Sequence, residues 1–272
     1  MMAMEIESPA NPRIRAAAAL RERRERDRSG LTLVDGLRES IRALEAKVAT
    51  ELALVCSALL DDDDDADRLQ ALLRERDTET VEVSERAFSR VAFGERKDGI
   101  VLIVRAPTTD LAAIRFPEAE DPLVVVTEDI EKPGNLGAIL RSADGSGASA
   151  VVAVGGTDLF NPNVIRASTG TVFSVPIAAA PADAVLHWLR EHGLRIVAAK
   201  VDAPRLHTDA DLTGPLAIVL GNEASGLSDA WAAPDVESLR LPMLGVADSL
   251  NVAVAGAVLL YEARRQRDGQ RR

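Results

Sequence analysis

Apolar and polar positions along this chain form two stretches of strand-like and helix-like pattern, parted by a segment rich in proline. In the first stretch, helical spacing over residues 12–28 leads to a short apolar strand at 31–34, and a further helical pattern follows at 37–47. Residues 51–57 read as a compact strand. A run of aspartates then opens a helix reaching about residue 74, where acidic side chains suit the helix start. Residues 82–91 read as another helix and 100–104 as a buried strand, so a mainly parallel sheet is expected here. The segment 107–121 carries Pro107 and Pro117, with Pro122 just after it, and is the expected linker between an N-terminal domain (1–106) and a C-terminal one (122–272). In the second stretch, 123–126, 150–154, 195–199 and 216–220 are apolar without alternation, as parallel strands covered on both faces are. Helical patterns at 136–146, 182–192 and 250–267 complete an α/β fold with a parallel C-terminal sheet and a smaller α/β domain ahead of it. No internal repeat is evident.

With 47% hydrophobic residues among 272, the chain can bury sizeable cores. Its single cysteine, Cys56, cannot close an internal disulfide and follows the apolar run 52–55 with no activating base, so it is read as a core residue. The first 28 residues lack the apolar centre of an export signal, and no apolar stretch approaches the ~20 residues of a membrane span. A cytoplasmic protein without membrane contact is expected. The formal net charge of −11 is unfavourable to a polyanionic partner, but its distribution changes that picture. Between residues 13 and 28 stand seven arginines (Arg13, Arg15, Arg21, Arg23, Arg24, Arg26 and Arg28) against three acids, and the tail adds Arg264, Arg265, Arg267, Arg271 and Arg272. Much of the acid lies apart, in residues 61–65 and 118–121. Each basic run reads either as a solvated helix face or, since guanidinium matches phosphate bidentately, as a phosphate grip. The aspartate run reads as loop and cap, because a divalent-metal site needs oxygens converging from a folded loop.

Candidate chemistry enters at three clusters just beyond strands of the second stretch, where open α/β sheets hold their ligands. The first runs from Glu128 through Lys132-Pro133-Gly134-Asn135 to Arg141: a strand ends, a Pro-Gly turn reverses the chain, and a helix starts with Asn135 near its cap. Asn135 is there a cap or a site residue, and Arg141, within two turns of it, a surface charge or a site residue. The second, Gly221-Asn222-Glu223-Ala224-Ser225-Gly226, directly follows a strand; its glycines permit close backbone approach, while Asn222 and Glu223 supply an amide and a carboxylate. Otherwise it is an ordinary turn. The third runs from Leu241-Pro242-Met243 to Ser249-Leu250-Asn251-Val252, with Ser249 as expected cap of a long, almost wholly apolar helix. Such a helix must be buried, so Ser249 and Asn251 need polar partners in the protein or in a ligand. Residues 145–150 fit G-x-G-x-x-A, the fingerprint of a nicotinamide or flavin enzyme, but they end a helix and precede a strand, the reverse of the required context.

Together, N-x-G-x-I-x-R at 135–141, G-N-E-x-x-G at 221–226 and the P-M…S-L-N-V run at 242–252 resemble, in order and spacing, the SpoU family of RNA ribose methyltransferases within the SPOUT superfamily. Residues 161–170 look like that family's segment between its first two motifs, and residues 11–36 resemble, more loosely, the ribosomal-protein-like RNA-binding domain of many members. Ala253 replaces a frequent second serine, 144–149 lacks the usual aromatic, and Val34-Asp35-Gly36 replaces a glutamate-glycine pair.

The resemblance implies a C-terminal SPOUT domain closed by a deep trefoil knot, and an active site completed across a homodimer with 161–170 placed to face the partner. It implies S-adenosylmethionine as methyl donor, without a metal, held by the backbone around Leu220, Gly221, Asn222, Leu241, Met243 and Leu250. The implied catalytic set is Arg141, Asn135, Glu223, Ser249 and Asn251. Arginine holds its proton too tightly to be a good base. Arg141 then stabilises the developing alkoxide, with proton abstraction left open, while the other four hold the arrangement. Arg13, Arg21, Arg23, Arg24 and Arg166 are the expected RNA contacts. The expected activity is methylation of a ribose 2′-hydroxyl in structured RNA, ribosomal RNA first. The alternatives are transfer RNA as substrate, or a non-catalytic RNA-binding or ribosome-assembly factor, though a pure binder has no need of all five polar residues.

Overall fold

The computed structural model describes residues 5–61, 63–93, 98–117 and 120–270. Asp62 of the aspartate run, Glu118 of the linker and the terminal Arg271 and Arg272 lie outside the described residues. In chain order the elements are α1 (Pro12–Ala19), α2 (Arg23–Ser29), β1 (Leu31–Asp35), α3 (Leu37–Glu45), β2 (Thr50–Val55), α4 (Asp64–Glu75), β3 (Thr80–Glu82), α5 (Glu85–Val91), β4 (Ile100–Arg105), β5 (Leu123–Glu128), α6 (Pro133–Ser146), β6 (Ala150–Val154), α7 (Pro162–Ala167), β7 (Ile177–Ala180), α8 (Ala182–Glu191), β8 (Arg195–Ala199), β9 (Arg205–Leu206), β10 (Leu216–Leu220), β11 (Val236–Arg240) and α9 (Val252–Gln270). They form two compact units: the chain up to Pro107 with Asp158–Ser174, and Thr108–Thr157 with Val175–Arg272.

In the first unit, the helix expected over 12–28 is broken into α1 and α2. Arg26 accounts for the break. Its Nη1 donates to the carbonyls of Leu20 (2.8 Å) and Arg21 (2.7 Å), replacing helical partners there, and its Nη2 pairs with Asp158. Arg26 is therefore only 6% exposed rather than part of a solvated face. Asp63, whose side chain accepts from the Ala66 amide at 3.0 Å, caps α4, so the aspartate run does open that helix. Cys56 is buried in the core beside Leu54 and Phe88, and burial pushes its thiol pKa up.

The sheet of this unit has the order β1-β4-β2-β3 and is mixed, not mainly parallel: β4 runs antiparallel to both β1 and β2. The physical reason is where the chain re-enters the sheet: the Cys56 amide donates to the Gly99 carbonyl at 2.8 Å just past the end of β2, so the next strand can only run back along it. β4 accordingly begins where β2 ends, with Ile100 opposite Val55. The segment 158–174, which includes the 161–170 motif, is part of this unit. Thr32 donates to the Phe160 carbonyl at 2.7 Å, Arg42 to Thr169 Oγ1 at 2.9 Å, and Arg166 to Asp35 at 3.3 Å.

The second unit is built on a parallel seven-stranded sheet of order β7-β6-β5-β10-β8-β11-β9. β5, β6 and β10 are buried along their whole length, which is why their sequences are apolar without alternation. β9 and β11 lack such a run, and β7, although apolar, is a short run of three alanines after Ile177 that the sequence pattern does not single out. Part of the expected linker also packs here: Ile114 is buried, and the Phe116 ring lies 5.5 Å from that of Trp188. No helix among the described residues is long and apolar enough to cross a membrane.

The first unit carries a titration that can be measured. Burial pushes the Asp35 carboxyl up to about 6, against the Phe93 amide (2.6 Å) and the Arg166 charge, which lower it. An unfolded aspartate titrates near ~3.9, so between about pH 4 and 6 the folded chain holds the extra proton and stability falls as pH rises. We expect the melting temperature of the wild type, relative to Asp35→Asn, to decline from pH 4.5 to 7 and then level off. A constant difference across that range would contradict this assignment.

Candidate functional site

The strand order of the second unit reverses between β5 and β10, and ligands of such sheets sit beyond the carboxyl ends of the strands at that point. Two loops meet there. Asn222 Nδ2 donates to the Asp129 carbonyl at 2.8 Å, while buried Glu128 accepts from the Ser228 amide (2.8 Å) and hydroxyl (2.7 Å). The loop after β10 closes on itself through paired backbone bonds between Asn222 and Gly226. A Cβ on Gly221 would lie 2.7 Å from the Gly226 carbonyl carbon and oxygen, so glycine is required for that closure.

Glu223 is the centre of the polar cluster. Its Oε1 accepts from Asn135 Nδ2 (2.9 Å) and Asn251 Nδ2 (2.8 Å), and its Oε2 from Lys132 Nζ (2.9 Å). Asn251 Nδ2 also donates to Asn135 Oδ1 at 3.0 Å, which closes a triangle of side chains from three separate segments. Lys132 holds the Glu223 carboxyl below its usual range, and Glu223 in turn raises the Lys132 ammonium. The carboxylate is thus ionised and fully engaged. Asn135 is not the cap of α6: the helix starts two residues earlier with Pro133 in its first turn, which frees the Asn135 side chain for the cluster. Nor does Ser249 cap α9. Asn251 does so, its Oδ1 accepting from the Ala253 amide at 3.0 Å.

A cavity of about 550 Å³ opens beside this cluster, and Leu220, Gly221, Asn222, Leu241, Met243 and Leu250 all line it, with Glu223 and exposed Ser249. The sequence reading did not single out Ala199, Lys200, Val201 and Asp202, which form another wall; the available signal was a charged pair directly after an apolar strand. Lys132, the cation on Glu223, received no role either. Arg141 stands apart from the cluster, exposed on α6 and without a hydrogen bond or ion pair to another described residue.

The expected RNA contacts lie in the first unit and differ in availability. Arg24 is exposed, Arg13 pairs with Glu79 at 2.6 Å, and Arg23 lies 3.6 Å from Asp27. Arg21 donates to the Ala92 carbonyl, with its guanidinium 4.6 Å from the centre of the Phe93 ring. Arg166 is turned inward onto Asp35 and the Phe93 carbonyl, which makes it a structural tie.

Comparison with known proteins agrees with this geometry. The description "SpoU rRNA Methylase family" matches residues 122–261, and "MRM3-like substrate binding domain" matches residues 11–102. A 23S rRNA (uridine(2479)-2'-O)-methyltransferase of Streptomyces viridochromogenes is 34% identical over 92% of this chain and 88% of its own. A 23S rRNA (guanosine(2553)-2'-O)-methyltransferase of Bacillus subtilis is 28% identical over 96% of this chain and 99% of its own. Among solved structures, an RNA 2'-O ribose methyltransferase superposes with a TM-score of 0.83 at 42% identity, covering 97% of this chain and 99% of that one. An AdoMet-bound rRNA methyltransferase from Sinorhizobium meliloti gives a TM-score of 0.85 at 30% identity, covering 96% and 97%. With Asn135, Glu223 and Asn251 of its three motifs gathered into one cluster beyond the strand ends of a parallel sheet, this chain belongs to the SpoU rRNA methylase family.

Proposed function

We propose that this chain methylates a ribose 2′-hydroxyl of ribosomal RNA with S-adenosylmethionine as donor. The observation that carries the reading is the meeting of Asn135, Glu223 and Asn251, from three distant segments, in one hydrogen-bonded cluster on the rim of the cavity. Relatives that span nearly the whole chain are named for 23S rRNA, which favours ribosomal over transfer RNA; a cytoplasmic location fits that substrate.

The cavity suits such a donor. Leu220, Leu241 and Leu259 offer apolar walls for a base, the missing Cβ of Gly221 leaves the backbone open to approach, and the Asp202 and Glu223 carboxylates favour a cationic ligand. The bound donor would supply an electrophilic methyl group on positively charged sulfur. What the chain must add is alignment and a destination for one proton, neither of which calls for a metal. Asn135, Glu223 and Asn251 fix the rim. Arg141 stabilises the alkoxide that develops on the ribose. Arg23 and Arg24, with the exposed parts of Arg13 and Arg21, grip the RNA backbone.

The active unit is a homodimer. α9 was expected to be fully buried, yet it buries only one face, through Val252, Gly256, Leu259, Leu260 and Ala263. Val254 (49% exposed), Val258 (38%) and Tyr261 (53%) leave an apolar strip, the kind of surface that marks an interface. A second copy covers it. We infer from the family resemblance that the chain end forms a trefoil knot; β8 standing between β10 and β11 in the sheet, and α9 packing back on Leu220 and Ile139, support that reading. Ordinary α/β connections avoid crossing in that way.

Calorimetry in the presence of chelator should show S-adenosylmethionine binding to the wild type and at least ~10-fold weaker binding to Gly221→Ala with the fold retained; no wild-type binding at millimolar donor would refute the donor assignment, and binding abolished only by chelator would refute its independence of metal. Arg141→Ala should lose at least ~100-fold in turnover, the scale of one preorganised transition-state donor, with donor affinity nearly unchanged. The wild-type product should contain nuclease-resistant dinucleotides, which a base methyl does not create. Near-normal turnover of Arg141→Ala, or methyl on a base, would overturn the mechanism. Light scattering at micromolar concentration should find a dimer for the wild type and a monomer of much reduced turnover for Val258→Glu; a fully active monomer would exclude the dimer.

A further inference from the structure

Behind Glu223 lies a second, smaller cavity of about 210 Å³, and Glu223, Asn222, Ala224 and Val252 line both. One carboxylate therefore stands between the space assigned to the donor and an adjoining space with its own chemistry. That second space is lined by Asp129, Glu131, Asn135 and Lys132, and Lys132 is the one cation among its lining residues. Its ammonium sits on Glu223 Oε2 at 2.9 Å, yet 74% of the side chain is exposed.

We infer that Lys132 is a substrate-positioning residue that leaves Glu223 for a phosphate of the target nucleotide when RNA enters the second cavity. This rests on the ribose-methylation reading above and names the contact that would seat the substrate. Three features carry it. First, an exposed ion pair is weakly held in water, so exchanging one anionic partner for another costs little. Second, Glu223 keeps two donors, Asn135 and Asn251, after Lys132 departs, so the rim does not collapse. Third, a nucleotide bound beside Asp129, Glu131 and Glu223 would meet net negative charge unless a cation turned toward it, and Lys132 is placed to do so. Neutralising a phosphate also releases condensed counterions, a gain that pairing with Glu223 lacks. In the RNA-free enzyme, Lys132 instead offsets the Glu223 charge and holds that side chain ready.

The test uses the full-length protein with deproteinised large-subunit ribosomal RNA as probe. Lys132→Gln should weaken RNA binding about 10-fold and reduce the slope of log K against log salt by about one. The RNA KM should rise to match, kcat at saturating RNA should stay within about 3-fold, and donor affinity should not change. Lys132→Arg should restore the salt slope and most of the KM. If Lys132→Gln leaves both salt slope and KM unaltered, or if it instead lowers kcat or donor affinity with KM unchanged, Lys132 is only a prop for Glu223 and the inference fails. Ribose-methylated product from the wild type tests the underlying reading separately, since the salt slope is read from binding alone and can stay unaltered while that reading stands.

Discussion

The Glu223 carboxylate is the constraint on which the second unit's site depends. It gathers the start of α6, the loop after β10 and the start of α9, whose sequences are separated by tens of residues, into one point. A carboxylate only accepts, so the starts of α6 and α9 each have to bring a donor to the loop that carries it. Its own freedom is small. Gly221 folds the loop tightly against Gly226, Asn222 ties it to Asp129, and Glu128 anchors its far end at Ser228. The rim is thus prearranged before any ligand arrives, which is what a reaction relying on alignment requires.

The charge pattern has a parallel resolution. A net charge of −11 does not favour RNA, and by count alone the arginine-rich start of the chain repairs this. Counting overstates the repair. Arg26 is consumed by the Leu20 and Arg21 carbonyls and by Asp158, and Arg166 by Asp35 and the Phe93 carbonyl. Arginine serves both purposes because its planar fork of donors fits backbone carbonyls as well as phosphates. What remains for a polyanion is a subset, with Arg24 the clearest member.

That division shows where sequence reading succeeds and stops. Strands 150–154, 195–199 and 216–220 were legible to the residue, because burial on both faces writes an unbroken apolar run. The mixed order of the first sheet was not legible, since it follows from the chain re-entering at Gly99 beside Cys56 rather than from any strand's composition. β11 has Glu237 and Ser238 in its middle and looks like a loop until β8 pairs with it. The assignment of 158–174 to the first unit rests on contacts such as Thr32 with Phe160, which have no local signature. The motif residues did converge as a set, apart from Arg141, but Lys132 escaped notice because its partner lies 91 positions away.

The two misplaced helix caps show why the cluster uses amides. Aspartate would cap α9 as well as Asn251 does, so cap preference alone does not select asparagine there. Nothing about the first turn of α6 asks for Asn135 either. The triangle asks for both. Asn135 must donate to Glu223 while accepting from Asn251, and Asn251 must donate to Glu223 and Asn135 while accepting from the Ala253 amide. Among side chains of this length only the amide presents donor and acceptor from one rigid group. A carboxylate at either position would face Glu223 with a like charge and no proton to share. The same Asn251 side chain therefore decides where α9 begins and how the rim is closed, so the helix cannot shift register without opening the site.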